Sequence, residues 1–556
     1  MNQSPTDQRR AGVGWLLAGL GFGALAAIGL VMLGKALLSP NLPTAMAPPV
    51  FVEESAAAGI DHVYDGEFNF FVGGGVAVFD CDDDNKPDLY IAGGINPASL
   101  YRNDSAIGGR LQFSRVTTQE TDLGSVIGAY PLDVDGDGYT DLAVLRFGEN
   151  MMLRGLGGCR FERANETWGI DGGNEWTAAF SAKWDDEAAL PTLAFGNYLA
   201  ENGQQTGECA NHVLFRPTGS VYGPSTPLNP GWCTLSILFS DWDRSGRVDL
   251  RMTNDRHYYR EGEEQLWRVA ENEPPHLYTH EEGWQRMQIW GMGIASQDLT
   301  GDGLPEVFLT SQGDNKLQTL VEGASQPTYE DVAFERGVTA HRPFVGDESL
   351  PSTAWHAEFE DVNNDALMDL FISKGNVEAQ PDYAARDPSN LLLGSPDGSF
   401  TEAAGASGIV SFARARGAAV ADLNLDGMLD LVSVNRRENV KLWRNVGWGS
   451  PGQPRPMGNW IAVRLRQPGP NRDAIGSWVE VEVDDQRIER ETTVGGGHAG
   501  GQLGWIHFGL GSAQTARVRV QWPDGETGPW FRVEANRYLM IDREAREPEP
   551  WIPGGS

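Results

Sequence analysis

Three observations predict an all-β protein. Short runs of aromatic and β-branched residues recur along the 556-residue chain, and such residues favour strands. Gly is abundant, at 69 residues, as expected where many turns join short strands. One unit also repeats: an apolar run, an Asp-rich loop, then another apolar run. Long amphipathic helical patterns are scarce.

The repeat sets the architecture. Its loops begin at Asp80, Asp133, Asp185, Asp241, Asp298, Asp361 and Asp422, at spacings of 53, 52, 56, 57, 63 and 61 residues. That length suits one four-stranded antiparallel blade, and seven blades lie within the propeller range. A short strand with Phe or Tyr follows most loops, as at Phe113, Phe161, Tyr329 and Phe400. The last unit lacks it, whereas the stretch from Phe51 to Ile60 precedes the first loop and has no loop of its own. Residues 51–60 are therefore expected to supply the missing strand of the last blade, which removes an open sheet edge. The predicted layout is a seven-bladed β-propeller over 51–447, a linker over 448–458, a small β-sandwich-like domain over 459–545 and a tail over 546–556. In that domain the stretches beginning at Trp460, Ser477 and Arg517 alternate with period two. Gly495-Gly496-Gly497 and Pro523-Asp524-Gly525 read as turns.

The loops carry a metal-binding pattern. In the second, Asp133, Asp135, Asp137 and Asp141 hold positions 1, 3, 5 and 9, and Gly138 permits the sharp turn. Alternation by two aims these side chains at one centre, and hard oxygen donors suit Ca2+. Position 12 is Val144 rather than Glu and the flanks alternate as strands do, so this is not an EF-hand. The matching sets are Asp80/Asp82/Asp84/Asp88, Asp241/Asp243/Ser245/Asp249, Asp298/Thr300/Asp302/Glu306, Asp361/Asn363/Asp365/Asp369 and Asp422/Asn424/Asp426/Asp430. Up to six Ca2+ ions are expected. The loop at Asp185 loses its ligands after Glu187 and is expected to be empty. The competing reading is that these Asp residues merely bond their own backbone in turns. Six loops at blade spacing favour the cation, because crowded carboxylates repel one another without one.

A formal net charge of −34 argues against nucleic acid as a partner, since phosphate binding needs clustered Lys and Arg. Residues 11–34 are 24 uncharged residues between Arg9-Arg10 and Lys35, long enough to span a bilayer. They read as a transmembrane helix or signal anchor, with residues 1–10 cytoplasmic, 35–50 a linker and the bulk periplasmic or extracellular. The alternatives are a signal peptide cleaved near Ala45-Met46-Ala47 and twin-Arg export. Cys209 and Cys233 could close a disulfide across a Pro/Gly/Asn-rich insertion, while Cys81 and Cys159 read as single residues in separate blades. Four free thiols are the alternative.

No catalytic constellation is recognised. There is no GxSxG elbow and no HExxH helix. His498, His507 and Asp473 share one domain but read as turn and strand residues, and His356 and Glu358 as members of a blade strand. The expected function is a non-catalytic binding, adhesion or scaffold module for a protein or glycan. The alternative is an exported carbohydrate lyase or hydrolase using the propeller funnel.

The Asp-loop units resemble FG-GAP/VCBS repeats, which form the propeller head of integrin α subunits. The stretches Asn471-Arg-Asp-Ala-Ile-Gly-Ser-Trp-Val, Gly495-Gly-Gly-His, His507-Phe-Gly-Leu-Gly and Val520-Gln-Trp-Pro-Asp-Gly resemble the ASPIC/UnbV domain. The combination is similar to the cartilage acidic protein family and its bacterial relatives. That resemblance implies calcium-binding, non-catalytic extracellular proteins. One departure is that no Ser-Gln pair follows the glycines of Gly495-Gly-Gly-His-Ala-Gly-Gly-Gln, where relatives usually carry one.

Overall fold

The computed structural model describes residue 1 and residues 44–185, 188–200, 206–255 and 262–554. The expected membrane segment, 11–34, lies outside the described residues. Among those described, no helix is long and apolar enough to cross a membrane.

The protein is all-β and built from four-stranded sheets of the propeller type. Seven antiparallel sheets succeed one another over 76–116, 126–163, 177–228, 234–277, 291–331, 354–402 and 414–445. They are called sheets 1 to 7 below, and their acidic loops take the same numbers. In sheet 2 the strands are Val126–Leu132, Asp141–Arg146, Met151–Gly155 and Phe161–Arg163, each paired with the next. The first strand of each sheet packs against the first strand of the next. That of sheet 7, Arg414–Ala421, also packs against that of sheet 1, Val76–Phe79. These inner strands are buried along almost their whole length, which is why they read as continuous apolar or small-residue runs.

Sheet 7 borrows its fourth strand as expected. Phe51–Glu53 pairs with Lys441–Asn445 in the register Phe51↔Asn445 and Glu53↔Trp443. The next residue, Glu54, is buried and takes Arg444 at 3.1 Å, so the joint between the first and last strands of the seven-sheet region is sealed by a satisfied ion pair. The small-residue turns after the outer strands are single helical turns, Asn165–Trp168, Ala333–Arg336 and Ala404–Ser407. Gly169, Gly337 and Gly408 end them in the left-handed conformation.

The C-terminal domain is two four-stranded sheets. One orders Ile506–Gly511, Asn459–Arg466, Arg537–Asp542 and Glu549–Trp551; the other Gln486–Glu491, Trp478–Val483, Thr515–Gln521 and Phe531–Glu534. Ile461, Val463, Val479, Val481, Phe508, Val518 and Leu539 share one buried cluster. Glu549–Trp551 falls in the stretch expected to be tail, so the domain runs past residue 545.

The cysteines need one correction. Cys209 bonds Cys233, as foreseen, but Cys81 and Cys159 are not single residues: they are bonded to each other. Cys81 follows Asp80 in loop 1, and Cys159 sits in the hairpin between the two outer strands of sheet 2. The sequence separation of 78 concealed the contact, which arises only because neighbouring sheets lie side by side.

Candidate metal loops and the domain interface

Each acidic loop joins the first and second strands of its sheet, and the residue at position 9 begins the second strand: Asp88, Asp141, Asp249, Glu306, Asp369 and Asp430. Position 1 closes the turn. The Asp133 carboxylate accepts from the backbone N–H of Gly136 and of Gly138, both at 2.9 Å. Asp80, Asp241, Asp298, Asp361 and Asp422 close their own loops in the same way. Position 9 bolts the loop to the third strand: Asp141 accepts from the N–H of Val134 at 2.7 Å and of Gly155 at 2.8 Å. Asp88, Asp369 and Asp430 repeat that bridge. Glu306 takes the N–H of Leu299 and the Thr319 hydroxyl. Asp249 differs, accepting instead from the Trp242 indole at 2.9 Å and the Tyr278 hydroxyl at 2.8 Å. Positions 1 and 9 therefore carry the turn-forming role in these loops, which is compatible with a ligand role.

Among the described residues, two loops gather three carboxylates with oxygens all within 4.8 Å of one another: Asp80/Asp82/Asp88 and Asp133/Asp135/Asp141. The position-3 oxygens Asp82 Oδ1, Asp135 Oδ1 and Asn424 Oδ1, and Asp249 Oδ1 at position 9, are buried without a hydrogen-bond partner. An unmet buried acceptor is costly, and a cation would meet it. The residues present thus fit a hard divalent ion. Burial pushes Asp133 up to about 7, helped by the charge of Asp473, and pushes Glu306 up to about 7. Burial followed by neighbouring Asp charges also lifts Asp369 and Asp430 well above the carboxylate range. Such groups resist ionising together unless positive charge arrives. Some is already present: Arg154 reaches Asp135 and Asp137, both at 2.7 Å, and Lys86 reaches Asp84 at 2.7 Å.

Loops 4 to 7 correct the expectation that all four positions aim at one centre. Their acids are not gathered as tightly as those of loops 1 and 2. Position 3 turns to the backbone in loops 4 and 6, and position 5 does so in all six loops, Asp84 and Asp137 accepting from the N–H of Lys86 and of Tyr139, both at 2.9 Å. At position 3, Asp243 accepts from the Ser245 N–H at 3.2 Å and Asn363 from the Asp365 N–H at 3.1 Å. Asp243 also lies 3.4 Å from Arg247, and the Asn363 Nδ2 is buried without a partner. Thr300 is exposed, and its backbone N–H donates to Asp298 at 3.2 Å. At position 5, Asp302 accepts from the Leu304 N–H at 2.9 Å, and the Ser245 hydroxyl from the Arg247 N–H at 3.4 Å. Asp365 and Asp426 do likewise with Leu367 and Met428, both at 3.0 Å. The physical reason is local. A short side-chain acceptor reaches the N–H two residues on with little strain. Asp84, Asp137, Asp243 and Asp302 thus lie on the expected loops but outside the compact sets of carboxylates. Loops 1 and 2 present the better formed donor sets.

The loop at Asp185 is built differently again. Lys183 Nζ lies 2.8 Å from the Asp185 carboxylate, and the Thr192 hydroxyl donates to it at 2.7 Å. An internal ammonium stands where the other loops gather acids. Glu187, where ligand loss was read, lies outside the described residues.

The C-terminal domain covers the loop face. The Tyr538 hydroxyl donates to Asp422, and His507 Nε2 meets Asn364 Oδ1 at 2.6 Å. Glu491 accepts from the N–H of Asp241 at 2.9 Å. The Arg464 guanidinium donates to Asn85 Oδ1 at 2.9 Å. A Cβ at Gly136 would press on Pro470, and one at Gly427 would run into Trp460, so these loop glycines permit close docking.

From this domain, residues 494–503 enter the ring axis. They form β-bridges in turn to Ala182, Leu238, Ile294, Ala129 and Val78, on the first strands of five sheets. The His498 N–H donates to His356 Nδ1 at 3.1 Å, on sheet 6. Gly128 is indispensable here, because a Cβ would collide with the Ala499 carbonyl oxygen. The glycines read as a plain turn are thus an insertion. From the opposite end, Arg416 and Arg436 hold the 66–71 stretch through the carbonyls of Phe71, Phe70 and Gly66. The two fillings meet where the Gly73 N–H donates to His498 Nε2 at 3.2 Å. His498 Nδ1 faces the Met292 carbonyl at 2.9 Å, so both its nitrogens are engaged, and His356 Nε2 lies 3.3 Å from Glu358. Asp473 stands beside loop 2 and, with His507, lines a cavity between the two domains.

Such a chain is an all-β protein of propeller type whose acidic loops lie under a second β domain. Residues 80–144 match the FG-GAP-like repeat, and residues 467–548 match the ASPIC and UnbV family; the chain carries both units. No curated protein matches it. Among solved structures, BBS1N in complex with ARL6DN is similar at 11% identity and TM-score 0.40, over 72% of this chain and 98% of that one. A lectin of Agrocybe aegerita recognising non-reducing terminal N-acetylglucosamine has 14% identity and TM-score 0.36, over 65% and 88%. A family AA12 carbohydrate-active protein of Trichoderma reesei has 9% identity and TM-score 0.32, over 73% and 99%. These likenesses are too distant to bear on function.

Proposed function

We propose that the seven sheets are the blades of one closed seven-bladed propeller, that its six acidic loops bind Ca2+, and that the protein is a membrane-anchored, extracytoplasmic, non-catalytic binding module for a protein or glycan. The carrying observation is the division of the two faces. The loop face is roofed by the C-terminal domain and the axis is filled from both ends. The opposite face, where second strands pass to third and sheet follows sheet, remains for a partner. It presents Phe147 and Phe412 at 38% and 36% exposure, with Phe68, Phe71, Trp290 and Tyr383 partly exposed. Aromatic side chains of this kind supply contact area for sugars and proteins alike. Loops 1 and 2 should take Ca2+ most readily, and in loops 4 to 7 the ion would have to draw Asp243, Ser245, Thr300, Asp302 and Asn363 inward. The two disulfides suit an oxidising compartment. A lyase or hydrolase working in the funnel would need an open axis, and its candidate histidines would need free nitrogens.

The test is a screen of the full chain against glycans and envelope proteins, with and without calcium. A bound partner should be lost in Phe147→Ala or Phe412→Ala. Turnover of a polysaccharide would reverse the non-catalytic reading.

A further inference from the structure

The C-terminal domain sets carboxylates of its own against two of the acidic loops. The turn from Pro470 to Asp473, part of the Asn471-Arg-Asp-Ala-Ile-Gly stretch, lies on loop 2. Besides the Pro470 contact, a Cβ at Gly138 would meet the Arg472 guanidinium carbon at 3.0 Å. Asp473 faces a cavity of about 200 Å3 between the two domains. Among the described residues its carboxylate takes no hydrogen bond and forms no ion pair; Arg464, Arg466 and Arg472 act on it only at longer range. That turn brings the Asp473 charge to bear on Asp133. At loop 4, Glu491 takes the Ser240 hydroxyl at 2.6 Å and the Asp241 N–H, which places it against the position-1 acid. Glu489, close by, is compensated by Arg244 at 3.1 Å and Arg487 at 2.8 Å. Loops 2 and 4 flank the loop that holds Lys183 instead of a full acidic set.

Acid set against acid across an interface is repulsive, and a divalent ion on one side turns the same arrangement attractive. We propose that cations in loops 2 and 4 clamp the two domains together: with Asp473 and Glu491 standing against those loops, cation uptake and the seating of the C-terminal domain, with residues 494–503 in the axis, are one linked equilibrium. This rests on the calcium reading of the loops and adds its consequence. Linkage requires that what strengthens docking strengthens cation binding equally.

The experiment uses the full chain. Calcium uptake is measured by calorimetry. Amide exchange at 494–503 and protease cleavage within 448–458 are then followed in millimolar calcium and in chelator. Chelation should raise exchange at 494–503 by about tenfold or more, the mark of a local opening. D473N, which removes a charge but no hydrogen bond, should stay protected in chelator, and D473N/E491Q more so. Absence of calcium uptake in the wild type sinks the loop reading itself. Uptake with unchanged protection in chelator overturns the clamp and leaves the loops as sites. Equal loss of protection in wild type and D473N also overturns it, because charge is then not the link.

Discussion

The loops at Asp133 and Asp185 occupy equivalent places in neighbouring sheets, yet they meet the same electrostatic demand in opposite ways. The first brings Asp133, Asp135 and Asp141 together and has an unpartnered oxygen on Asp135. The second has Asp185 paired with Lys183, both largely buried. A carboxylate buried at the end of an inner strand favours nearby positive charge: the loop at Asp185 has Lys183, whereas the loop at Asp133 has Arg154 and still leaves an acceptor on Asp135 unmet. On the calcium reading proposed above, the contrast marks which loops would depend on the solvent's cations and which would not.

The largest expected effect is that of chelation. At dissociation constants of roughly 0.1–1 mM, millimolar calcium stabilises each loop by about 0.4–1.4 kcal/mol, so six loops together give about 2–8 kcal/mol. Scanning calorimetry should show the melting temperature falling by several degrees in chelator and recovering with calcium. An unchanged melt would erase the distinction between the two kinds of loop.

Lys183→Met comes next. It leaves Asp185 buried without its partner, which typically costs about 3–5 kcal/mol. The loss should be the same in calcium and in chelator; rescue by calcium would mean that this loop also takes an ion.

A pH effect of intermediate size belongs to the same sheet. His212 is fully buried, its Nδ1 accepts from the Asn197 N–H at 3.2 Å, and burial lowers it to about 4. The folded state resists the proton that the unfolded state accepts below about 6.5. Its contribution is therefore complete above pH 6.5 and declines as pH falls toward 4, at about 1.4 kcal/mol per pH unit. His212→Gln should reduce the slope of the stability profile in that window by about one proton's worth, the buried His356, His498 and His507 keeping theirs. Parallel profiles for the two proteins would refute this.

The smallest effect is Asp133→Asn, expected to cost about 1 kcal/mol more in calcium than in chelator. A denaturant titration under both conditions would show it. Equal loss in both would leave Asp133 with only its turn-forming role toward Gly136 and Gly138.

Much of the fold was legible because it is local. The 52–63-residue spacing, the strand that begins at each position 9 and the orphan strand at Phe51 all follow from patterns within one unit, and the structure reproduces them. The acidic loops were legible for the same reason, and positions 1 and 9 stand where alternation puts them. Their middle positions were less so: Asp243, Asp302 and Asn363 could bond the backbone or face the centre, and spacing does not choose between these. Contacts between units were not legible. Nothing near Cys81 points to Cys159, and the run Gly495-Gly496-Gly497 carries no mark separating a turn from an insertion. Lys183 could have been noticed, as a basic residue beside the one degenerate loop.

The sequence by itself determined what each repeat could become: a four-stranded sheet with an acidic hairpin, since period-two burial and turn chemistry act over a few residues. Only the tertiary structure decided which hairpins lie beneath Tyr538, Glu491 and Asp473, and that the axis is filled rather than open. Those outcomes depend on distances between residues hundreds of positions apart, which close packing sets and local propensity does not encode.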